Sequence, residues 1–181
     1  MPTVLAILPE GFEELEAVAP IDVLRRAGCA VTVASLAPGI HVTGRNGITV
    51  HADVHLDSLP ADAAPFDCLF LPGGPGVQHL RASPAVHALV ARHHAAGKLL
   101  AAICAAPAVL HDAGLLAGRR YTAHPSVASE LPAILADERV VRDGNILTSR
   151  GAGTALDFGL ALVAALVSPA KSAEIHAAIR A

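Results

Sequence analysis

The chain has 181 residues, a length typical of a single domain that buries its own core without disulfides. Hydrophobic residues make up 53% and charged residues 16%, which excludes disorder of the whole chain. The net charge is −3, no basic stripe occurs, and no apolar stretch reaches the length of about 18 residues that spans a bilayer, so neither nucleic acid nor a membrane is a predicted partner.

Short apolar runs alternate with helical patterns along the chain. Predicted strands cover residues 3–8, 30–34, 66–71, 99–103 and 146–149. Predicted helices cover residues 13–27, 84–96, 105–113 and 154–167. The runs at 66 and 99 are apolar without alternation, as in parallel strands that are covered on both faces. The pattern therefore predicts an α/β fold of one domain over residues 1–181.

Local signals refine these elements. Glycine follows each of the first three helices, as expected at a helix C-terminus. Thr154 and Asp157 have the spacing of a capping box, and Pro20 should bend the first helix or make it start afresh near Glu16. Asn46-Gly47 and Asp143-Gly144-Asn145 predict antiparallel hairpins over 41–51 and 140–148 that decorate the sheet. The stretch 59–65 is a short connection.

The three cysteines Cys29, Cys68 and Cys104 are an odd number at wide gaps of 39 and 36 residues, so neither a disulfide framework nor a Cys-x-x-Cys metal site is predicted. The N-terminus lacks the basic region and cleavage site of a signal peptide, so we expect a cytoplasmic protein. Ten histidines occur without a zinc-binding spacing, and no metal is predicted.

Cys104 is the strongest candidate for chemistry. It follows a predicted buried strand and precedes a predicted helix, which is the position of the nucleophile in a strand-turn-helix elbow. The residues two before and two after it, Ala102 and Ala106, are small enough for the crowded turn. The helix N-terminus should lower the pKa of the thiol and make Cys104 the most acidic cysteine. The alternative is a cysteine packed as a small hydrophobe, which is the interpretation we favour for Cys29 and Cys68.

Four other residues are candidates on weaker signals. Glu13 and Glu14 fit solvated acids of a first helical turn, whereas Glu16 lies among apolar neighbours; spacing alone does not decide which acid points inward. Gly73 and Gly74 follow a predicted parallel strand, where backbone N–H groups could face an oxyanion, although a plain tight turn needs the same residues. His124 lies in a polar loop and fits either loop capping or catalysis.

Six segments together resemble the ThiJ/PfpI superfamily, and more closely its branch that contains the parkinsonism-associated deglycase/chaperone. They are PEGFEELE at 9–16, DVLRRAG at 22–28, LPGG at 71–74, AAICAAP at 101–107, TAHP at 122–125 and LTSRG at 147–151. The resemblance implies a flavodoxin-like three-layer sandwich that forms a homodimer and needs no cofactor. It also implies catalytic roles for Cys104, Glu16 and His124.

By the same resemblance, the oxyanion amides belong to Gly74 and to the elbow at Cys104 and Ala105, while Arg26 corresponds to a basic residue of the pocket. Two departures matter. Ala105 replaces the histidine that follows the nucleophile in protease-like members, which disfavours a cysteine peptidase or amidohydrolase. Arg45-Asn46-Gly47 replaces the more common Ser-Arg-Gly of the hairpin, so the sequence leaves open whether Arg45 reaches the pocket.

Two functions fit these residues. The first is a cofactor-free enzyme of the glutathione-independent glyoxalase or deglycase type, which acts on reactive dicarbonyls or glycated substrates and gives 2-hydroxy acids. The second is a redox-sensing chaperone for which Cys104 is an oxidation switch.

Overall fold

The computed structural model of the protein describes residues 1–60 and 64–181, so residues 61–63 of the predicted 59–65 connection lie outside the described residues. The strands are β1 Thr3–Leu8, β2 Ala30–Ser35, β3 His41–Thr43, β4 Thr49–His51, β5 Val54–His55, β6 Cys68–Leu71, β7 Leu99–Ile103, β8 Val140–Asp143 and β9 Ile146–Ser149. The α-helices are α1 Glu14–Arg26, α2 Val77–Ala82, α3 Pro84–Ala95, α4 Pro107–Asp112, α5 Ala155–Leu166 and α6 Pro169–Ala178.

Seven strands form the central sheet in the order β5-β2-β1-β6-β7-β9-β8. All neighbouring pairs are parallel except β8 and β9 at one edge. The predicted α/β class with a mostly parallel sheet is therefore confirmed. The 140–148 hairpin decorates this sheet as predicted, but the 41–51 hairpin does not, because among the described residues β3 and β4 pair only with each other, as a separate ribbon.

Helices cover both faces of the sheet. On β1, Val4 and Ala6 point into a core shared with α1, α5 and α6, whereas Leu5 and Ile7 point into a second core under α2, α3 and α4. All four side chains are fully buried. Strands that are covered on both faces must be apolar at successive positions, which explains the unbroken apolar runs of the sequence. The three-layer flavodoxin-like sandwich is confirmed.

The ends of the helices show which of the predicted capping residues act as caps. The glycines that follow α1, α3 and α4 all have positive φ angles, as the sequence predicts: Gly28 (83°), Gly97 (66°) and Gly114 (72°). The predicted capping box at Thr154 is wrong, because its hydroxyl bonds to Gly151 and Ser149 instead, and Asp157 pairs with Arg139.

Pro20 does not interrupt α1, which continues from Glu14 to Arg26, so the expected restart near Glu16 is wrong. Packing favours the continuous helix. A Cβ atom on Gly159 of α5 would lie 3.0 Å from Pro20 Cα, so the absence of a side chain at position 159 lets the two helices approach closely. None of the described helices combines the length and apolarity that a bilayer crossing requires.

Candidate active site

The candidate site lies at the carboxyl edge of four neighbouring strands, β1, β6, β7 and β9. The segments that follow these strands carry Glu16, Gly73, Cys104 and Gly151, respectively. Parallel strands end at the same edge of a sheet, so this topology brings together residues that are far apart in sequence.

Cys104 occupies a strained turn directly after β7. Its φ angle is 65°, a conformation that residues with a Cβ rarely adopt. Two hydrogen bonds hold it there: its N–H donates to the Ser149 carbonyl (2.9 Å), and its own carbonyl accepts from the His124 N–H (2.8 Å). Ala102 and Ala106 are fully buried beside it. The conformation is that of a nucleophile elbow, and strain held by the surrounding structure is typical of functional sites.

Glu16 is the acid of α1 that points toward this elbow. It is 1% exposed, and Oε2 has no conventional hydrogen-bond partner among the described residues. Gly73 makes the arrangement possible, because a Cβ atom at that position would lie 2.5 Å from Cys104 Cβ and still closer to Glu16 Oε2. Any side chain at position 73 would therefore separate the carboxyl group from the cysteine.

The protonation of Glu16 is shifted by its surroundings. Burial raises its pKa from 4.5 to about 7, and the nearby negative charge of Glu13 acts in the same direction. The interaction with Cys104, the Gly73 N–H group and the charge of Arg45 lower the pKa but do not outweigh burial. Glu16 is thus poised to hold or release a proton near neutral pH.

The same coupling acts on Cys104. Burial raises the pKa of its thiol to about 12, with a further increase from the Glu16 carboxylate, while the N–H groups of Gly74 and Ala105 lower it. The prediction of a lowered thiol pKa is therefore wrong, because burial of the thiol and the neighbouring Glu16 carboxyl group outweigh the N–H groups at the elbow. Two adjacent acids that repel each other's charge lose their protons in two separated steps, so the pair retains one shared proton over a wide pH range.

A cavity of about 450 Å³ opens above the pair. Its wall contains residues from six parts of the chain, and the side chains that line it include Glu13, Arg45, Gln78, His124 and Ser126. His124 is exposed, and its Nδ1 is held by the hydroxyl and the backbone N–H of Ser126 at 2.9 and 3.1 Å. The structure thus brings Cys104, Glu16 and His124 to one cavity.

The hairpin β3–β4 forms one wall of the cavity and decides whether Arg45 reaches it, which the sequence left open. Arg45 lines the cavity, with Nε 3.5 Å from Glu13 Oε2. Glu14 docks the hairpin by accepting hydrogen bonds from Asn46 N (2.7 Å), Asn46 Nδ2 (2.9 Å) and Ile48 N (3.4 Å). Glu13 and Glu14 are buried, so the interpretation of both as solvated acids is wrong. Their burial is explained by these partners from the hairpin.

The remaining predicted residues separate into two groups. Gly74 and Ala105 line the cavity beside Cys104 as predicted, and Gly73 lies beneath it. Arg26 is not among the residues that line the cavity; it is exposed at the end of α1 and pairs with Asp22 at 2.7 Å. Its helical position, ten residues after Glu16, places it more than two turns away.

The other two cysteines and the potential metal ligands form no second site among the described residues. Cys29 and Cys68 are buried and free, and burial raises the pKa of both. Within residues 1–60 and 64–181, no group of three or more His, Cys, Asp or Glu side chains is placed to hold a metal ion.

A flavodoxin-like sandwich with a cysteine at its elbow and a buried carboxyl group facing the sulfur defines a class of α/β proteins with a cysteine at a nucleophile-elbow position. This chain belongs to the DJ-1/PfpI family, which matches residues 2–165.

Relatives share most of this length. The zebrafish (Danio rerio) Parkinson disease protein 7 homolog is 39% identical over 178 residues, which cover 96% of this chain and 94% of that protein. A protein named deglycase from Thermococcus kodakarensis is 35% identical over 153 residues, covering 83% of this chain and 90% of its own length. The structure of oxidized DJ-1 from Toxoplasma gondii superposes with a TM-score of 0.92 at 37% identity, covering 99% of this chain and 98% of that one.

Proposed function

We propose that the protein is a cofactor-free enzyme that converts methylglyoxal or glyoxal into the corresponding 2-hydroxy acid, with Cys104 as nucleophile. The observation that carries the proposal is the buried Glu16 carboxyl group beside Cys104, beneath an open cavity of about 450 Å³. The similarity to a protein named deglycase supports an enzymatic role and extends the substrate class to glycated groups. Free cysteines fit a reducing compartment, so the proposal places the reaction in the cytoplasm.

The first step is the addition of sulfur to the aldehyde. With the shared proton on Glu16, the Cys104 thiolate attacks the aldehyde carbon, a C–S bond forms, and the carbonyl electron pair moves to oxygen. In this proposal the N–H groups of Gly74 and Ala105, which face the sulfur, stabilise the alkoxide. Protonation of the alkoxide by Glu16 gives a hemithioacetal and leaves the carboxylate.

The second step moves a proton between the two carbons. The Glu16 carboxylate removes the proton from the former aldehyde carbon, which gives an enediolate with its negative charge on the former ketone oxygen. Glu16 then returns the proton to the neighbouring carbon while the hydroxyl hydrogen of the hemithioacetal passes to the former ketone oxygen, which gives the thioester of the 2-hydroxy acid. A pKa of about 7 suits a group that must accept and donate a proton at neutral pH. Water then hydrolyses the thioester, releasing the acid and the thiol. One carbon is oxidised while its neighbour is reduced, so no external oxidant is needed.

The test is product formation without glutathione. Lactate from methylglyoxal is measured by NMR, because loss of methylglyoxal alone also results from reversible adducts. We expect lactate from the natural protein and none from Cys104→Ser, while His124→Ala lowers kcat by roughly 10² to 10⁴ if His124 is the general base. Cys68→Ser is the matched control, since Cys68 lies in the core away from the cavity. Equal lactate from the natural protein and Cys104→Ser would overturn the proposal.

The second candidate function is the redox-sensing chaperone. It is supported by the exposure of the thiols, because Cys104 is partly exposed whereas Cys29 and Cys68 are buried. If no lactate forms above the Cys104→Ser control, yet peroxide-treated protein suppresses aggregation of a client in a Cys104-dependent manner, this function replaces the enzymatic one.

We also propose a homodimer. Three large apolar side chains are exposed on α1 and on the neighbouring hairpin: Leu15 (60%), Val18 (47%) and Ile48 (59%). A second copy of the chain would cover them. Sedimentation at micromolar concentration is expected to give a dimer for the natural protein and a monomer for Leu15→Glu. A monomeric natural protein would refute this proposal.

A further inference from the structure

The two ring nitrogens of His124 have different surroundings. Nδ1 is contacted by the backbone N–H of Ser126 at 3.1 Å and by the Ser126 hydroxyl at 2.9 Å. A backbone amide can only donate, so Nδ1 must accept and carries no hydrogen while this contact exists. A neutral imidazole has one N–H group, which is therefore at Nε2. No hydrogen-bond partner within residues 1–60 and 64–181 reaches Nε2.

We infer that His124 acts in catalysis as a hydrogen-bond donor through Nε2–H, and that Ser126 is the positioning residue that fixes this tautomer. The inference rests on the proposed function and divides the work within it. His124 donates to the substrate oxygen on which negative charge develops, and Glu16 alone moves the proton between the carbons. The sequence offers loop capping and catalysis as alternatives for His124. In this inference the ring does both, because Nδ1 caps the loop at Ser126 and Nε2 faces the substrate.

Backbone contacts hold the His124 ring close to Cys104 and Glu16. The His124 N–H donates to the Cys104 carbonyl at 2.8 Å, which ties the histidine loop to the elbow. At the opposite side of the ring, a Cβ atom on Gly151 would lie 3.5 Å from His124 Cδ2 and 3.8 Å from Glu16 Oε1. Cδ2 is bonded to Nε2, so the donor edge of the ring and the Glu16 carboxyl group are both close to this one backbone position.

The chemistry is consistent with this division. When the Glu16 carboxylate takes the carbon-bound proton, the electron pair of the C–H bond moves toward the ketone oxygen, which gains negative charge. A donor at Nε2 stabilises that oxygen without losing its hydrogen, and the proton returns from Glu16 to the neighbouring carbon. His124 has the same protonation before and after the step. If Nε2 acted as the base, Nδ1–H would face the Ser126 N–H, and two donors would oppose each other.

Replacement by glutamine distinguishes a donor from a base. The Nε2 amide group of glutamine can donate a hydrogen bond from nearly the position of imidazole Nε2, but it cannot accept a proton at neutral pH. We expect His124→Gln to retain kcat within about 10-fold of the natural protein, whereas His124→Ala lowers kcat by roughly 10² to 10³. If His124→Gln is folded and as slow as His124→Ala, the donor role is wrong.

A second measurement does not depend on turnover. Long-range ¹H–¹⁵N correlation spectra distinguish the two histidine tautomers, and the signals of His124 are assigned by their absence in His124→Gln. We expect the Nε2–H tautomer in the natural protein, with a population ratio lowered about 3- to 10-fold in Ser126→Ala, which loses one of the two bonds to Nδ1. His55, whose Nδ1 accepts from the Asp57 N–H, is an internal reference.

The outcomes separate the two proposals. A predominant Nδ1–H tautomer of His124, or a ratio unchanged by Ser126→Ala, would overturn the positioning role of Ser126 whether or not lactate forms. An Nε2–H tautomer in a protein that forms no lactate would instead overturn the proposed function and leave the tautomer assignment standing.

Discussion

The buried carboxyl group of Glu16 should make the fold less stable at neutral pH than at pH 4.5. Its pKa is 4.5 in an unfolded chain and about 7 in the folded protein, so the folded state holds the proton more tightly. Its stabilising contribution is complete below pH 4.5 and is lost as the pH rises through 7. The difference between the two pKa values corresponds to about 3 kcal/mol of unfolding free energy. Glu16→Gln cannot ionise and should not show this loss.

The assay is urea unfolding of both proteins at intervals from pH 4.5 to 8. The difference in stability between Glu16→Gln and the natural protein should grow in favour of the variant by about 3 kcal/mol across this range. Glu138→Gln is the control, because Glu138 is exposed and its replacement should leave the pH dependence unchanged. Parallel stability curves for Glu16→Gln and the natural protein would refute the reasoning.

Three further predictions concern single groups. Mild peroxide should oxidise Cys104 before Cys29 or Cys68, because only Cys104 is accessible; peptide mass mapping that finds either buried cysteine oxidised first would contradict this. Gly73→Ala should lower the rate of Cys104 alkylation at least 10-fold through displacement of the elbow, and an unchanged rate would show that the close approach is dispensable. Burial lowers the pKa of His93, so the free energy of unfolding should fall as the pH drops below about 6.5. In acid unfolding curves, His93→Phe should lack the part of this fall that comes from protonation of His93. A fall of equal size in the variant would exclude His93 as its source.

The sequence predicted the strands and helices that are marked by a long apolar run or by a glycine at a helix end. Apolar runs and terminal glycines located β1, β7, α1 and α3, because burial on both faces of the sheet and αL helix ends leave direct traces in composition. Helix α2 was missed, since six residues after a glycine-rich loop show no periodicity. Helix α6 was also missed, although Ser168 before Pro169 is a recognisable start; the Ser168 hydroxyl accepts from the Lys171 N–H at 3.1 Å.

The site was predictable where the residues that define it are neighbours in sequence. The elbow at Cys104 follows from a strand, a turn and two small neighbours in sequence. The burial of Glu16 and Glu14 was not predictable from spacing, because it depends on Gly73 and on Asn46, which lie far away along the chain. The pKa of Cys104 was misjudged for the same reason: the local effect of the helix end was weighed without the burial of the thiol and without the carboxyl group that the fold places beside the sulfur.

The ribbon β3–β4 gives the cavity a replaceable wall. It shares no strand pairing with the central sheet and is fastened near its tip through the carboxylate of Glu14, while Gly44 leaves room for that carboxylate. Residues at the tip, such as Arg45, can therefore be exchanged without altering the elbow or the sheet beneath it. Grafting tips of different charge onto a constant Glu14 anchor offers a route to change which substrates enter the cavity. Because the charge of Arg45 lowers the pKa of Glu16, such grafts would also shift that pKa.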